Sequence, residues 1–293
     1  MEKLIARLDL LLERINAIFA PEPSIEIQDD VIAWRWRGAG SGRGGAVLEA
    51  VEAPHKLALD DLMGIDRQKQ LLTQNTAQFV AGLPANNALL WGARGTGKSS
   101  LVKALLNHFA ADGLRVIELD AHDLTDLPHV VAPLRGRPER FILFVDDLSF
   151  DADDASYRTL KAALDGSVAV APENVLIYAT SNRRHLVPEY QTDNTDARIV
   201  DGELHHGEAV EEKISLSERF GIWLSFHPFS QALYLEVVAH WLKVLGEAEM
   251  TEEVRREALQ WALQRGNRSG RVAAQFARDL AGREALKRLQ GKG

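Results

Sequence analysis

The sequence predicts an α/β fold: a mainly parallel sheet of five strands with helices on both faces, followed by a small helical domain and preceded by a small N-terminal unit. Three observations predict it. Apolar bursts recur at 88–92 (ALLWG), 114–120 (LRVIELD), 140–147 (RFILFVDD), 175–182 (VLIYATSN) and 221–226 (GIWLSF). Helix-like or loop stretches separate them, the texture of buried strands joined by crossovers. After Pro228 the strand signal stops, and 230–246, 251–265 and 270–289 carry apolar residues at helical spacing, punctuated by Gly246, Gly266 and Gly270. Finally, a glycine-rich turn, GARGTGKSS at 92–100, joins the first burst to a helical pattern.

From the N-terminus, residues 1–56 differ in texture from the rest of the chain. The stretch MEKLIARLDLLLERINAIF is interrupted by Glu2, Arg7, Asp9, Glu13 and Arg14, so it reads as an amphipathic helix rather than a signal peptide. Pro21 and Pro23 end it, and IAWRW at 32–36 has strand character. Gly40, Gly42 and Gly45 satisfy GxGxxG, with Asp60 and Asp61 downstream. A dinucleotide site needs an unbroken helix and a second strand after the third glycine. Pro54 interrupts and 59–80 looks helical, so the patch reads as a flexible turn. Arg35, Arg37 and Arg43, interleaved with Trp34 and Trp36, fit either single-stranded nucleic acid or, for the tryptophans, a strand's core face.

Composition narrows the classes. At 293 residues and 46% hydrophobic content, the chain can bury the core of one large domain and one or two smaller ones. No apolar run approaches the ~20 residues of a membrane span. The absence of cysteine excludes disulfides and cysteine-ligated zinc and fits a reducing compartment, so a cytoplasmic location is expected. The net charge of −8 argues against broad nucleic-acid binding. Its distribution is uneven: residues 189–212 hold eight acids and one arginine, whereas 255–293 hold ten basic residues and three acids. These segments are either solvated faces or, for the basic tail, a phosphate-binding surface. His205 and His206 are adjacent on an expected loop without partners at ligand spacing.

The turn at 92–100 carries the most specific chemistry. Gly92 to Ser99 match GxxxxGK[ST], between a strand and a helix as the motif requires. In such a loop, here Gly92, Ala93, Arg94, Gly95, Thr96, Gly97, Lys98, Ser99 and Ser100, backbone N–H groups turn inward around phosphate oxygens, aided by the helix dipole. Lys98 is expected to reach the β and γ phosphates, and the Ser99 hydroxyl to enter the coordination shell of magnesium. FILFVDD at 141–147 places two carboxylates at a strand's C-terminal end. Asp146 is expected to hold the metal and Asp147 to polarise the attacking water, the alternative being acids that merely end a strand. Asn182, ending ATSN, can orient that water or touch the γ phosphate. Arg219, in SERF before the last strand, faces outward toward a neighbouring subunit's nucleotide or forms a surface ion pair. Arg271, in SGR, stands at a helix N-terminus, where a cation needs a compensating anion unless it is simply exposed.

In this order, these five pieces resemble the AAA+ ATPases over residues 57–285. GARGTGKS resembles Walker A, FILFVDD Walker B, ATSN sensor 1, SERF the arginine-finger box and SGR sensor 2. The resemblance implies a P-loop nucleotide-binding domain at 57–227 and a helical lid at 228–293. It further implies ATP and Mg2+ as cofactors, Arg219 acting in trans in a homo-oligomer, and Leu62 and Ile65, in LDDLMGID, as base contacts. DDLSF, YATSNRRHL and SLSERFGIWLSF are similar to an uncharacterised bacterial AAA+ family, a domain of unknown function. The chain departs from the AAA+ pattern at Asp147, where glutamate is usual; the carboxylate is one methylene shorter, which implies slow hydrolysis. Arg183 and Arg184 are also unusual and fit either a further inter-subunit contact or pairing with the acidic segment.

The expected function is an ATPase that oligomerises and couples ATP binding and hydrolysis to remodelling or loading of a protein or nucleic-acid partner, which residues 1–56 would contact. The alternative is a slow-turnover, ATP-dependent switch or assembly protein, favoured by Asp147. A small-molecule P-loop kinase fits less well, because the helices bearing Arg271 come after the last strand.

Overall fold

The computed structural model describes residues 27–38, 46–149, 155–165, 172–182, 198–200, 203–205, 218–246 and 250–290. The N-terminal amphipathic stretch, Gly40, Gly42, Arg43, Gly45, Arg183, Arg184, His206 and most of the acidic segment lie outside the described residues.

The central sheet has seven strands rather than the five expected. In chain order they are β1 (Ala33–Arg37), β2 (Val47–Ala50), β3 (Ala88–Gly92), β4 (Leu114–Leu119), β5 (Arg140–Val145), β6 (Val175–Ser181) and, after a small antiparallel pair β7 (Arg198–Val200) and β8 (Glu203–His205), β9 (Ile222–Phe226). The sheet order is β2-β1-β4-β5-β6-β3-β9, parallel throughout except for the β1–β2 pair. The two additional strands come from the segment read as a separate N-terminal unit. Trp34 pairs with Ile117 in β4, extending the main sheet. Trp34 and Trp36 are 1% and 0% exposed, with Trp36 Nε1 donating to Asp126 at 3.1 Å, so they are core and no base can stack on them. Arg35 and Arg37 pair with Glu118 and Glu49.

Alternation builds the layers. Along β5, Phe141, Leu143 and Val145 join one core with Trp34, Trp36, Leu127 and Leu160, while Ile142 and Phe144 join a second with Leu72, Phe79, Leu101 and Leu105. A strand buried on both faces must be apolar at each buried position, which is why FILFV at 141–145 reads as one run. Helices α1 (Asp66–Val80) and α2 (Lys98–Phe109) supply the second core; α3 (Leu127–Val131) and α4 (Ala155–Asp165) supply the first. The helical pattern read over 59–80 is broken at Gly64, whose φ of +73° is a glycine conformation; a Cβ there would lie 2.3 Å from Leu233 Cδ2. Under the sheet, Asn75 donates to Tyr178 Oη at 2.9 Å and Thr76 bonds the same hydroxyl, fastening α1 to β6.

The C-terminal helices α5 (Gln231–Val244), α6 (Glu252–Gln264) and α7 (Gly270–Gln290) form a third core around Tyr234, Val238, Phe276 and Leu280. Ser230 and Thr251 cap the first two by accepting from Leu233 N and Val254 N, leaving fewer unpaired amides at each start. No helix among the described residues is long and apolar enough to cross a membrane.

Candidate functional site

Parallel register brings the chemistry to one edge of the sheet. Gly92 pairs with Phe226, Val145 with Ala179 and Trp91 with Ser181, so the segments leaving β3, β5 and β6 emerge side by side. These carry the glycine loop, the Asp146–Asp147 pair and Asn182. Ligands of open α/β sheets bind at this carboxyl edge.

Glycine is required where the loop turns. Gly95 and Gly97 have φ of +76° and +104°, and a Cβ at Gly92 would lie 2.0 Å from Phe226 O. Thr96 Oγ1 fastens the loop by donating to Ala93 O at 2.8 Å. Beneath it Lys98, 6% exposed, donates from Nζ to Gly92 O and Ala93 O, each at 2.8 Å, and to Asn182 Oδ1 at 3.1 Å. Burial lowers the Lys98 pKa; Asp146 and Asp147 oppose this, while Arg94 and Arg271 add to it. The ammonium sits where an anion would relieve a desolvated positive charge.

The acidic turn is held as closely. Ser99 Oγ donates to Asp146 Oδ1 at 2.6 Å. The same oxygen accepts from Thr180 Oγ1 at 2.5 Å, and that hydroxyl accepts from Asp147 N at 2.9 Å. Asn182 Nδ2 donates to Asp147 Oδ1, and Arg94 lies 3.7 Å from Asp147 Oδ2. Asp147 has a φ of +54°, the one left-handed non-glycine backbone among the described residues.

These groups line a cleft of about 790 Å³ between the sheet edge and the C-terminal helices. Its apolar lining comes from Leu57, Leu62, Met63, Ile65, Val237 and Trp241. Arg271 also lines the cleft, and its backbone N–H donates to Gly95 O at 3.4 Å. Arg278 and Lys103 lie along the same cleft. Asp61, which also lines the cleft, reaches His240 of α5 at 3.2 Å, tying the segment before α1 to the helical unit. Arg219 lies elsewhere. It precedes Ile222, which pairs with Ala88 at the far end of β3 and β9 from Gly92, and it does not line the cleft.

The residues fit a magnesium-bound nucleoside triphosphate. The glycine loop has the positive φ values that an inward-facing amide cradle needs, and Ser99 and Asp146 form a hard-oxygen pair suited to Mg2+ with water and phosphate completing its shell. Among the described residues no three His, Cys, Asp or Glu converge to hold a metal unaided. The expected contacts Leu62 and Ile65 are buried and belong to the cleft's apolar lining. Sequence reasoning missed Thr180, Met63 and Trp241. Thr180 stands near the end of β6, two residues before Asn182; Trp241 stands one turn after Val237.

Comparison with known proteins bears on the fold and the family. No curated protein matches the sequence. Among solved structures, RuvB of Thermotoga maritima, a Holliday junction branch migration motor, is 17% identical with a TM-score of 0.54, covering 80% of this chain and 66% of its own. The replication initiator DnaA bound to AMPPCP and single-stranded DNA is 19% identical with a TM-score of 0.47, covering 80% of this chain and 68% of its own. The chain thus spans just under two thirds of RuvB, and that likeness shows a shared fold. The sequence profile described as protein of unknown function, DUF815, matches residues 29–284, and the chain belongs to that family.

Proposed function

We propose that this protein is an ATPase that binds Mg-ATP in the cleft between the sheet edge and the C-terminal helices, with those helices acting as its lid. The observation that carries the reading is the Ser99–Asp146 hydrogen bond, which joins the glycine turn to the acidic strand end beside a buried Lys98. Lys98 exchanges its carbonyl partners for β and γ phosphate oxygens, and Arg271 closes on the triphosphate from the lid. Leu62 and Ile65 cover the base, and the cleft's apolar lining excludes water from it. Asp147 accepts the proton of the attacking water while Asn182 orients it. Ser99 and Asp146 would hold magnesium, which would supply neutralisation of the triphosphate's charge. Arg219, remote from its own cleft, is suited to reach a neighbouring subunit in a homo-oligomer.

The output is movement or loading of a macromolecule, protein or nucleic acid. RuvB, whose fold this chain shares, is a Holliday junction branch migration motor, which supports a nucleic-acid partner as one class. A slower, switch-like reading is favoured by Asp147, which has a short side chain bonded to Asn182 and faced by Arg94. Steady-state hydrolysis by the wild type, Lys98→Ala and Arg219→Ala, alongside sizing with and without Mg-ATP, tests the proposal. Turnover abolished by Lys98→Ala, with nucleotide-dependent assembly whose turnover needs Arg219, supports it. Turnover insensitive to Lys98→Ala, or a monomer under every condition, contradicts it.

A further inference from the structure

We infer that Thr180 is a positioning residue for the acidic pair, and that the left-handed turn it holds is the reason aspartate stands at 147; the inference rests on the ATPase reading above. Thr180, 1% exposed, grips three consecutive residues. Its Oγ1 donates to Asp146 Oδ1 at 2.5 Å and accepts from Asp147 N at 2.9 Å, while its carbonyl accepts from Leu148 N at 2.7 Å. A hydroxyl has one hydrogen to give and can accept another, so both side-chain bonds are made at once.

These bonds fix the Asp146 carboxylate and the Asp147 backbone. Asp146 Oδ1 receives the hydroxyls of Thr180 and Ser99 together, which sets the face it presents to a cation. Asp147 is held at φ +54°, a conformation that aspartate and asparagine visit more readily than other side chains bearing a Cβ. That turn directs the short carboxylate toward Asn182, beside Lys98. A glutamate would gain a methylene but must occupy the same left-handed backbone or leave Thr180. The shorter acid is therefore matched to the turn, and Asp147→Glu is not a gain of function.

The experiment compares full-length wild type, Thr180→Val, Thr180→Ser and Asp147→Glu over a Mg2+ titration at saturating ATP. It reads kcat, KM for ATP, half-activating Mg2+ and the magnesium dependence of ATP binding. Thr180→Val keeps the shape and the backbone contact but removes both side-chain bonds. It is expected to lower kcat by roughly 10- to 100-fold and raise half-activating Mg2+ several-fold, the range for losing bonds to charged groups, with KM for ATP within about threefold. Thr180→Ser is expected to stay within about threefold of wild type, and Asp147→Glu to fall several-fold below it. Should Thr180→Val not fold, Thr180→Ala takes its place in the same titration. Wild-type magnesium activation in the hydroxyl-less variant, or an Asp147→Glu enzyme faster than wild type, overturns the inference and leaves the ATPase reading standing. A wild type that binds ATP with no magnesium dependence overturns both.

Discussion

Ser99 Oγ and Asp146 Oδ1 stand 2.6 Å apart, although β6 lies between β3 and β5 in the sheet. Ser99 stands in the first turn of α2 and Asp146 just past the end of β5, at the same edge of the sheet, and neither is placed by its local sequence alone. Ser99→Ala removes one of the two oxygens assigned to magnesium and is expected to raise the Mg2+ needed for half-maximal ATP binding about tenfold. Its stability cost is that of one polar contact, ~1 kcal/mol. ATP titrations at a series of Mg2+ concentrations, with urea unfolding of the same variant, check both.

Lys98 gives the site a pH dependence. Burial holds its pKa below the ordinary lysine value, so between the lowered value and the ordinary one the unfolded chain binds more protons. Stability therefore rises with pH across that window, and the cost of the buried charge is fully present below it. Bound phosphate moves the pKa back up. ATP binding is then expected to take up protons in alkaline solution and to weaken as pH climbs through the lowered pKa. Calorimetry in two buffers of different ionisation enthalpy measures the uptake directly, and Lys98→Ala should lose it.

Arg271 is exposed on the wall of the cleft, so its truncation is expected to leave the nucleotide-free protein within about 0.5 kcal/mol of wild type. ATP affinity should fall roughly tenfold, equivalent to about 1.4 kcal/mol. Thermal unfolding of Arg271→Ala with and without Mg-ATP reports the two effects separately: an unchanged baseline midpoint and a smaller ligand-induced rise.

Trp36 tests whether the first strands are integral to the sheet. It is fully buried among Trp34, Leu124 and Leu127, and its indole N–H is bonded to Asp126. Trp36→Ala is expected to cost ~3–5 kcal/mol and to shift the main unfolding transition of the sheet. A separate early transition, with the main one unmoved, would mean that β1 and β2 fold independently.

What could be read in the sequence was local. The spacing from Gly92 to Ser99 lies within one turn, and the helical periodicities of α5, α6 and α7 lie within single elements, so propensity and pattern suffice for both. The strand character of IAWRW was equally legible. Its partner was not, because Trp34 pairs with Ile117, far along the chain, and alternation in one strand carries no address for the other. Thr180 escaped notice for the same reason: threonine in an apolar strand looks like β propensity, and only folding brings its hydroxyl to Asp146 and Asp147. Trp241 and Val237 form the i, i+4 pair of any helix packed on a core, and only the orientation of α5 turns them toward the cleft.

The most direct measurement of the central claim is equilibrium titration of the full-length protein with ATP, in Mg2+ and in EDTA, using wild type and Lys98→Ala. The account predicts saturable, one-to-one binding that requires magnesium for full affinity and is lost on removing Lys98. No affinity for ATP, or binding that magnesium and Lys98 leave unchanged, would contradict it.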